Sequence, residues 1–163
     1  MKRIYYIIIL PVLLTMNLHS MAQDVRPITF KEFEAMTQRN NDTTYIFNFW
    51  ATWCTECVKE LPNIEQINNT YLDKKVKVIF ISLDFKKDFE TRLKPFVKNH
   101  HLKSEVYLMS DIDYNSWIDK VNKDWDGSIP STLIVNNSKK VRLFYNKDFT
   151  FAELENIILP IIN

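Results

Sequence analysis

The chain has 163 residues, of which 46% are hydrophobic and 25% are charged, and its formal net charge is +1 at pH 7. This composition is typical of one globular domain and excludes a disordered or fibrous protein. The near balance of charge gives no indication of nucleic-acid binding. Nucleotide binding is also disfavoured, because loops that hold phosphate groups need several glycines and Gly127 is the only one in the chain.

The first 22 residues have the pattern of a secretory signal peptide. Two cations precede an apolar run over residues 4–14, and a short polar stretch then ends at Ala22. The apolar run is shorter than the roughly 20 residues that a membrane-spanning helix needs. We therefore expect export to the periplasm or another extracytoplasmic compartment, with residues 1–22 removed or retained as an anchor and residues 23–163 forming the functional domain.

Helix and strand patterns alternate in the first half of the chain. Residues 28–39 predict a short amphipathic helix that Thr29 caps. Residues 44–50 are β-branched and aromatic, which indicates a strand in the middle of a sheet, and residues 55–71 then repeat apolar side chains at helical spacing. Residues 76–83 predict a second buried strand.

The second half continues the alternation but ends in a different arrangement. Residues 88–100 predict a helix and residues 105–109 a short strand, whereas the pattern of residues 111–125 is mixed. Two β-rich runs around a polar loop, residues 132–145, predict an antiparallel hairpin, and residues 150–162 predict a closing amphipathic helix. This order predicts an α/β fold, a central mixed β-sheet flanked by helices on both faces.

Cys54 and Cys57 are the two cysteines of the chain, and they lie where a predicted buried strand ends and a helix begins. Side chains three residues apart on a helix share a face, within the distance that a disulfide tolerates. The start of a helix stabilises a negative charge, which lowers the pKa of a thiol there and makes Cys54 the candidate attacking group. Cys57, one turn deeper, is then the candidate resolving thiol.

Three further interpretations of the cysteine pair stay open. A static disulfide is one, although a bridge across so short a loop would restrict the unfolded chain little. Zinc binding with His100 and His101 is another, although adjacent histidines point in different directions and the chain has no second cysteine pair. The third is a non-enzymatic Cu(I) carrier that uses the two thiolates, and it is the main alternative function.

Three segments of the chain resemble the thioredoxin superfamily: residues 48–57 (NFWATWCTEC), residues 60–62 (ELP) and residues 129–132 (IPST). Within it, they are most similar to the TlpA/ResA-like extracytoplasmic thiol–disulfide oxidoreductases. The resemblance implies a thioredoxin-like fold and an enzyme of cell redox homeostasis that exchanges disulfides with protein substrates, in the direction of reduction. It implies no cofactor beyond the redox-active disulfide, and a membrane thiol donor as the source of electrons. A redox-inert binding module of the same fold remains an alternative.

The resemblance also implies a proton acceptor for the resolving thiol. Glu60 matches a carboxylate that these reductases keep beside the redox pair, and it follows Cys57 by one helical turn. Asn48 stands where thioredoxin itself has a buried acid, which leaves Glu60 as the better candidate for this role. The alternative is that Glu60 is a solvated acid on the helix surface.

The remaining site residues follow from the same resemblance. In the family, the bond that matches Ile129–Pro130 is cis and faces the cysteines, and the backbone there pairs with an extended substrate. The alternative is an ordinary trans proline at the start of a strand. Trp53 is expected to shield the pair and contact substrate, and Trp125 to border the same groove. Glu56, between the cysteines, departs from the family pattern and places a negative charge that opposes thiolate formation.

Overall fold

The computed structural model describes residues 25–163 of the chain. The signal peptide predicted for residues 1–22 lies outside this range. Within the described range, no helix combines the length and the apolar composition that crossing a bilayer requires.

Strands and helices follow one another along the chain, joined by turns, loops and short 3-10 or π-helical segments. In order they are β1 (Arg26–Ile28), α1 (Phe30–Thr37), β2 (Thr44–Trp50), α2 (Thr55–Tyr71), β3 (Val76–Ser82), α3 (Lys94–Asn99), β4 (Glu105–Met109), α4 (Ile118–Val121), β5 (Ser131–Asn136), β6 (Val141–Tyr145) and α5 (Phe151–Ile162).

The six strands form one sheet in the order β1-β4-β3-β2-β5-β6. The first four of these run parallel, whereas β5 is antiparallel to β2 and β6 is antiparallel to β5. The sheet is therefore mixed, as predicted, with the predicted hairpin at one edge. All seven residues of β2 are buried, because this strand has a neighbour on each side and a layer of side chains on each face.

Helices cover both faces of the sheet, which confirms the predicted fold class. Successive residues of a strand point to opposite faces. Ile46 belongs to the core that contains Ile64 of α2 and Leu154 of α5. Its neighbour Phe47 belongs to the other core, where its ring meets that of Phe33 of α1 edge to face, with the centroids 5.2 Å apart. Full burial of each such side chain stabilises the fold by about 1.5–3 kcal/mol.

The structure differs from the predicted elements in three places. β1 is a three-residue strand that was not predicted, because so short a segment shows no periodicity of its own. The helix predicted over residues 88–100 is divided into a π-helical segment, Phe89–Leu93, and α3, with Pro95 in the first turn of α3 where its missing N–H is tolerated. In the mixed region, α4 has only four residues.

The cysteines and the Ile129–Pro130 segment come together at one end of the strands, where β2 finishes and β5 begins. β2 leads into α2 through residues 51–54, so the cysteines follow directly from a buried strand. The amide of Leu83, after β3, donates to the carbonyl of Trp50 at 2.7 Å, which closes this end of the parallel strands. Ser131 at the start of β5 lies opposite Phe49 of β2, so the residues just before β5 arrive beside the start of α2.

Candidate active site

Cys54 and Cys57 form a disulfide at the start of α2. The S–S distance is 2.08 Å and the Cα atoms are 5.3 Å apart. Cys54 is the N-cap residue of the helix, and its Sγ accepts a hydrogen bond from the Cys57 amide at 3.2 Å. Cys54 is partly exposed, whereas Cys57 is 0% exposed. An incoming sulfur can therefore reach Cys54, and the backbone N–H that points at Cys54 would stabilise its thiolate once the bond is reduced.

The acidic residue between the cysteines is partly neutralised. Glu56 is exposed and its carboxylate pairs with Lys59 at 2.8 Å, one turn further along α2. Exposed pairs of this kind contribute little to stability. The cation nevertheless offsets the negative charge that the sequence placed beside Cys54, which weakens the predicted opposition to thiolate formation.

The loop before β5 faces the redox pair. The Ile129–Pro130 bond is cis, as the resemblance implied. The carbonyl oxygen of Ile129 lies 3.8 Å from Cys54 Sγ. The preceding turn is held by the indole N–H of Trp125, which donates to the carbonyl of Ser128 at 2.8 Å. A supported turn thus places a backbone carbonyl beside the sulfur of the partly exposed Cys54.

Glu60, one helical turn after Cys57 on α2, is only 1% exposed, so the interpretation as a solvated surface acid is wrong. Its Oε1 accepts from Asn48 Nδ2 at 2.7 Å and its Oε2 from the Phe149 amide at 2.9 Å. Burial raises the pKa of Glu60 to about 7, the two hydrogen bonds oppose this rise, and the charge of Asp148 adds to it. A carboxyl group with this pKa can take up or release a proton near neutral pH.

Asn48 connects Glu60 to the sheet. It is 0% exposed, and its Nδ2 also lies 3.2 Å from Thr132 Oγ1, directly across from it on β5. Its Oδ1 has no hydrogen-bond partner. The position that lacks an acid in this sequence therefore supplies the donor that holds the carboxylate of Glu60.

A buried carboxylate that the sequence analysis missed supports the loop before the cysteines. Asp84 is 2% exposed and follows β3. Its Oδ2 accepts from the Thr52 amide at 3.0 Å and from Ser82 Oγ at 2.8 Å, and its Oδ1 accepts from Thr52 Oγ1 at 2.5 Å. The signal for it was an acid directly after the predicted buried strand of residues 76–83, because a buried carboxylate needs several donors.

An apolar pocket of about 180 Å³ opens next to Cys54, and we call it the aromatic pocket. Trp53 and Ile129 form its walls on the side of the disulfide. Trp125 lines it as well, so the expectation that it borders the same groove is confirmed. Phe85, Tyr114 and Trp117 also line it, and none of these three was predicted as a site residue. They come from segments without a clear periodic pattern.

The structure does not assemble the zinc set considered from the sequence. Among residues 25–163, no three or more His, Cys, Asp or Glu side chains are grouped so that they could hold a metal ion. His100 and His101 are exposed, and the ring of His100 stacks on Phe96 with the centroids 3.9 Å apart.

Comparisons with known proteins show the family and the fold of the chain. The AhpC/TSA family model matches residues 17–151. Thiol-disulfide oxidoreductase ResA of Bacillus cereus is 32% identical over 94 residues, which are 58% of this chain and 49% of that protein. The chain thus spans about half the length of this curated relative. The similarity confirms the resemblance seen in the segments around the cysteines.

Two solved structures share the backbone arrangement. A thiol:disulfide interchange protein of the thioredoxin family from Chlorobium tepidum TLS has a TM-score of 0.61 at 22% identity, covering 75% of this chain and 81% of that one. A secreted thiol-disulfide isomerase from Corynebacterium glutamicum has a TM-score of 0.62 at 17% identity, covering 82% and 74%. At these identities the likeness shows the fold alone, and it confirms the thioredoxin-like fold.

Proposed function

Since this chain belongs to the AhpC/TSA family, we propose that it is a protein thiol–disulfide oxidoreductase whose redox centre is the Cys54–Cys57 disulfide. The observation that carries the proposal is the placement of Cys54 Sγ. Cys54 is partly exposed at the start of α2, its Sγ accepts a hydrogen bond from the Cys57 amide, and Cys57 itself is buried. This arrangement suits one attacking and one resolving thiol.

In the reducing direction, the Cys54 thiolate attacks one sulfur of a substrate disulfide. A mixed disulfide forms, the substrate disulfide breaks, and the other substrate sulfur leaves as a thiolate that takes a proton from water. Cys57 then loses its proton and attacks Cys54 Sγ, which restores the intramolecular disulfide and releases the second substrate thiolate. Two electrons pass to the substrate, and a separate dithiol donor must reduce the pair again.

Glu60 is the proposed acceptor of the Cys57 proton. The two residues are one helical turn apart on α2 and both are buried. With a pKa of about 7, the carboxylate is present in a substantial fraction of molecules at neutral pH and can still bind a proton there. The proton transfer is direct or passes through a water molecule.

Ile129, Pro130 and Trp53 are the proposed substrate contacts. The Ile129 carbonyl beside Cys54 Sγ can accept a backbone hydrogen bond from an extended segment of the substrate, as in strand addition to a sheet edge. This mode favours unfolded or extended protein substrates. We further propose an extracytoplasmic location, on the pattern of residues 1–22, and a membrane thiol protein as the electron donor.

Reduction of insulin by the dithiol form tests this function. The wild-type protein is expected to accelerate the reduction, Cys54→Ser to be inactive, and Cys57→Ser to accumulate a mixed disulfide at Cys54 that mass spectrometry detects. Equal activity of wild type and Cys54→Ser would contradict the proposal. So would tight retention of one Cu(I) per chain without disulfide exchange, which would favour the carrier.

The redox potential tests the direction of exchange. Equilibration of the disulfide against glutathione is expected to give a potential near that of thioredoxin, about −270 mV, if the protein is a reductant. A value near about −120 mV, that of a strong oxidant, would contradict the reducing direction.

A further inference from the structure

The aromatic pocket lies where the neighbours of a substrate cysteine must pass. Trp53 precedes Cys54 in the chain, and Ile129 places its carbonyl 3.8 Å from Cys54 Sγ, so two walls of the pocket flank the reacting sulfur. In thiol–disulfide exchange at Cys54, the substrate sulfur lies in line with the Cys54–Cys57 bond, on the side of Cys54 Sγ opposite to Cys57. In an extended segment, adjacent residues are about 3.4 Å apart. The residues next to the substrate cysteine therefore lie over the mouth of the pocket.

The chemistry of the lining selects an apolar occupant. The indole N–H groups of Trp117 and Trp125 are already donated to the carbonyls of Asp111 and Ser128, at 3.0 and 2.8 Å. They offer no free donor to a polar ligand. A polar group that reached these two buried indoles would therefore lose its hydrogen bonds with water without replacement from them, which is unfavourable.

The back of the pocket is buried and closely packed, and its rim is exposed. Trp117 and Trp125 are 1% and 3% exposed, and the Trp125 ring packs against that of Phe49 with the centroids 4.6 Å apart. At the rim, Trp53 is 48% and Phe85 56% exposed. Large apolar side chains around a preformed apolar depression are typical of a binding site.

The glycine of the chain shapes one wall. Gly127 has φ +87°, and a Cβ there would lie 2.9 Å from Ile118 Cδ1. A side chain at this position would therefore have to displace the pocket lining. Gly127 allows the turn between Trp125 and Ile129 to follow this wall closely.

The volume limits the occupant to one side chain. Small-molecule and cofactor sites usually have about 300–1,000 Å³, whereas a cavity of roughly 150 Å³ is enough to bind benzene. The aromatic pocket, at about 180 Å³, fits one aromatic ring or one branched aliphatic side chain.

We propose that the aromatic pocket binds one bulky apolar side chain next to the cysteine of an extended protein substrate, so that the protein prefers cysteines with such a neighbour. This inference rests on the proposed function. It adds a substrate class: segments in which a residue such as Leu, Met, Phe or Tyr flanks the oxidised cysteine.

Matched peptides test the preference. Each contains one cysteine in a mixed disulfide with glutathione, and the residues on either side are Gly, Lys or Phe. The dithiol form of the wild-type protein is expected to reduce a Phe-flanked peptide with a kcat/KM about tenfold or more above that of the Gly-flanked peptide, because a filled apolar pocket discriminates to this extent. Lys is expected to give no gain over Gly.

Two variants show whether the pocket causes the preference. Phe85→Ser removes part of the rim, and the ratio of kcat/KM for the Phe and Gly peptides is expected to fall to within about twofold of unity. Leu72→Ser changes another exposed apolar residue, 65% exposed and outside the pocket lining, and should keep the wild-type ratio. Because the ratio is taken within each variant, a general loss of activity does not mimic the effect.

The outcomes separate this inference from the function on which it rests. Reduction of the Gly peptide by wild type but not by Cys54→Ser, with a Phe to Gly ratio near one, would overturn the pocket and leave the oxidoreductase intact. A ratio unchanged by Phe85→Ser would also overturn it. Reduction of none of the peptides would remove both proposals.

Discussion

Glu60 shows how the surroundings of a single residue set its chemistry. From its place in the sequence of α2 alone, Glu60 could equally have lain on an exposed face of the helix. Instead it is 1% exposed and receives hydrogen bonds from Asn48 and from the backbone of Phe149. Burial raises its pKa from the ordinary value of 4.5 to about 7. The folded protein therefore keeps a proton on Glu60 at pH values where the unfolded chain has lost it.

This difference in proton binding predicts a pH-dependent stability. Between pH 4.5 and about pH 7 only the folded state binds the proton, so the free energy of unfolding falls as the pH rises. The total loss expected from a shift of this size is about 3 kcal/mol. Glu60→Gln removes the ionisation, so the oxidised wild-type protein should lose about this much stability relative to the variant across the interval, measured by urea unfolding at several pH values.

The partnerless oxygen of Asn48 makes the glutamine variant a reasonable substitute, because a rotated Asn48 amide can accept from a glutamine N–H. Glu56→Gln, which removes an exposed carboxylate from the same helix, is the matched control. If the curves for wild type and Glu60→Gln run parallel from pH 4 to 8, Glu60 does not have a raised pKa in the folded state.

At the scale of elements, the starts of α1 and α5 are fixed by identical capping boxes. In α5, Thr150 Oγ1 accepts from the Glu153 amide at 3.3 Å, and Glu153 Oε2 accepts from the Thr150 amide at 2.9 Å. Thr29 and Glu32 make the same pair of bonds in α1. The hydrogen bond from Lys147, followed by those from Thr150, lowers the pKa of Glu153 to about 2. Each box satisfies backbone donors that the helix itself leaves unpaired.

Removal of one cap should destabilise the protein measurably. Thr150→Ala is expected to lower the free energy of unfolding by about 1 kcal/mol at pH 7, since the first turn of α5 loses its side-chain acceptor. Thr70→Ala, on the exposed side of α2, is the control and should change stability little. Identical urea midpoints for Thr150→Ala and wild type would show that the cap contributes nothing.

The division of the helix predicted over residues 88–100 is also an effect at the scale of elements. The apolar spacing was present, but the chain forms a π-helical segment, Phe89–Leu93, before α3. Leu93 is 0% exposed and Val97 3% exposed, so both the segment and α3 reach the same core. Pro95 fits at the start of a helix and not in its interior, which places the boundary before it.

At the scale of the whole molecule, both faces of the sheet carry a hydrophobic core. β5 shows this most simply: Leu133 and Ile134 are consecutive and both are 0% exposed, one in each core. If one face of the sheet were exposed to solvent, one of these two side chains would be exposed. On the edge strand β6, by contrast, Leu143 is 36% exposed.

Alanine substitutions on adjacent strands should report this difference. Leu133→Ala and Ile134→Ala are each expected to lower the free energy of unfolding by about 2–5 kcal/mol, since each leaves a cavity in a closed core. Leu143→Ala, of the same chemistry on the edge strand, should cost less than about 1 kcal/mol. A low cost at either Leu133 or Ile134, measured by urea unfolding, would mean that one face of the sheet is open.

The sequence by itself determined those parts of the protein that depend on neighbours along the chain. The bounds of β2, α2 and β4 agree with the predicted ones, and those of the hairpin and α5 agree within a residue, because alternation and helical spacing report burial directly. The spacing of Cys54 and Cys57 and their place at a strand-to-helix junction were equally readable, since both are properties of one short segment.

Only the tertiary structure decided what several segments build together. β1 has three residues and owes its existence to pairing with β4. Asp84 reaches the loop before the cysteines across the end of the sheet, and Asn48 meets Glu60 between a strand and a helix. The aromatic pocket draws its walls from segments between residues 53 and 129. Contacts between distant segments depend on how the sheet and its helices pack, and no local pattern of residues records that packing.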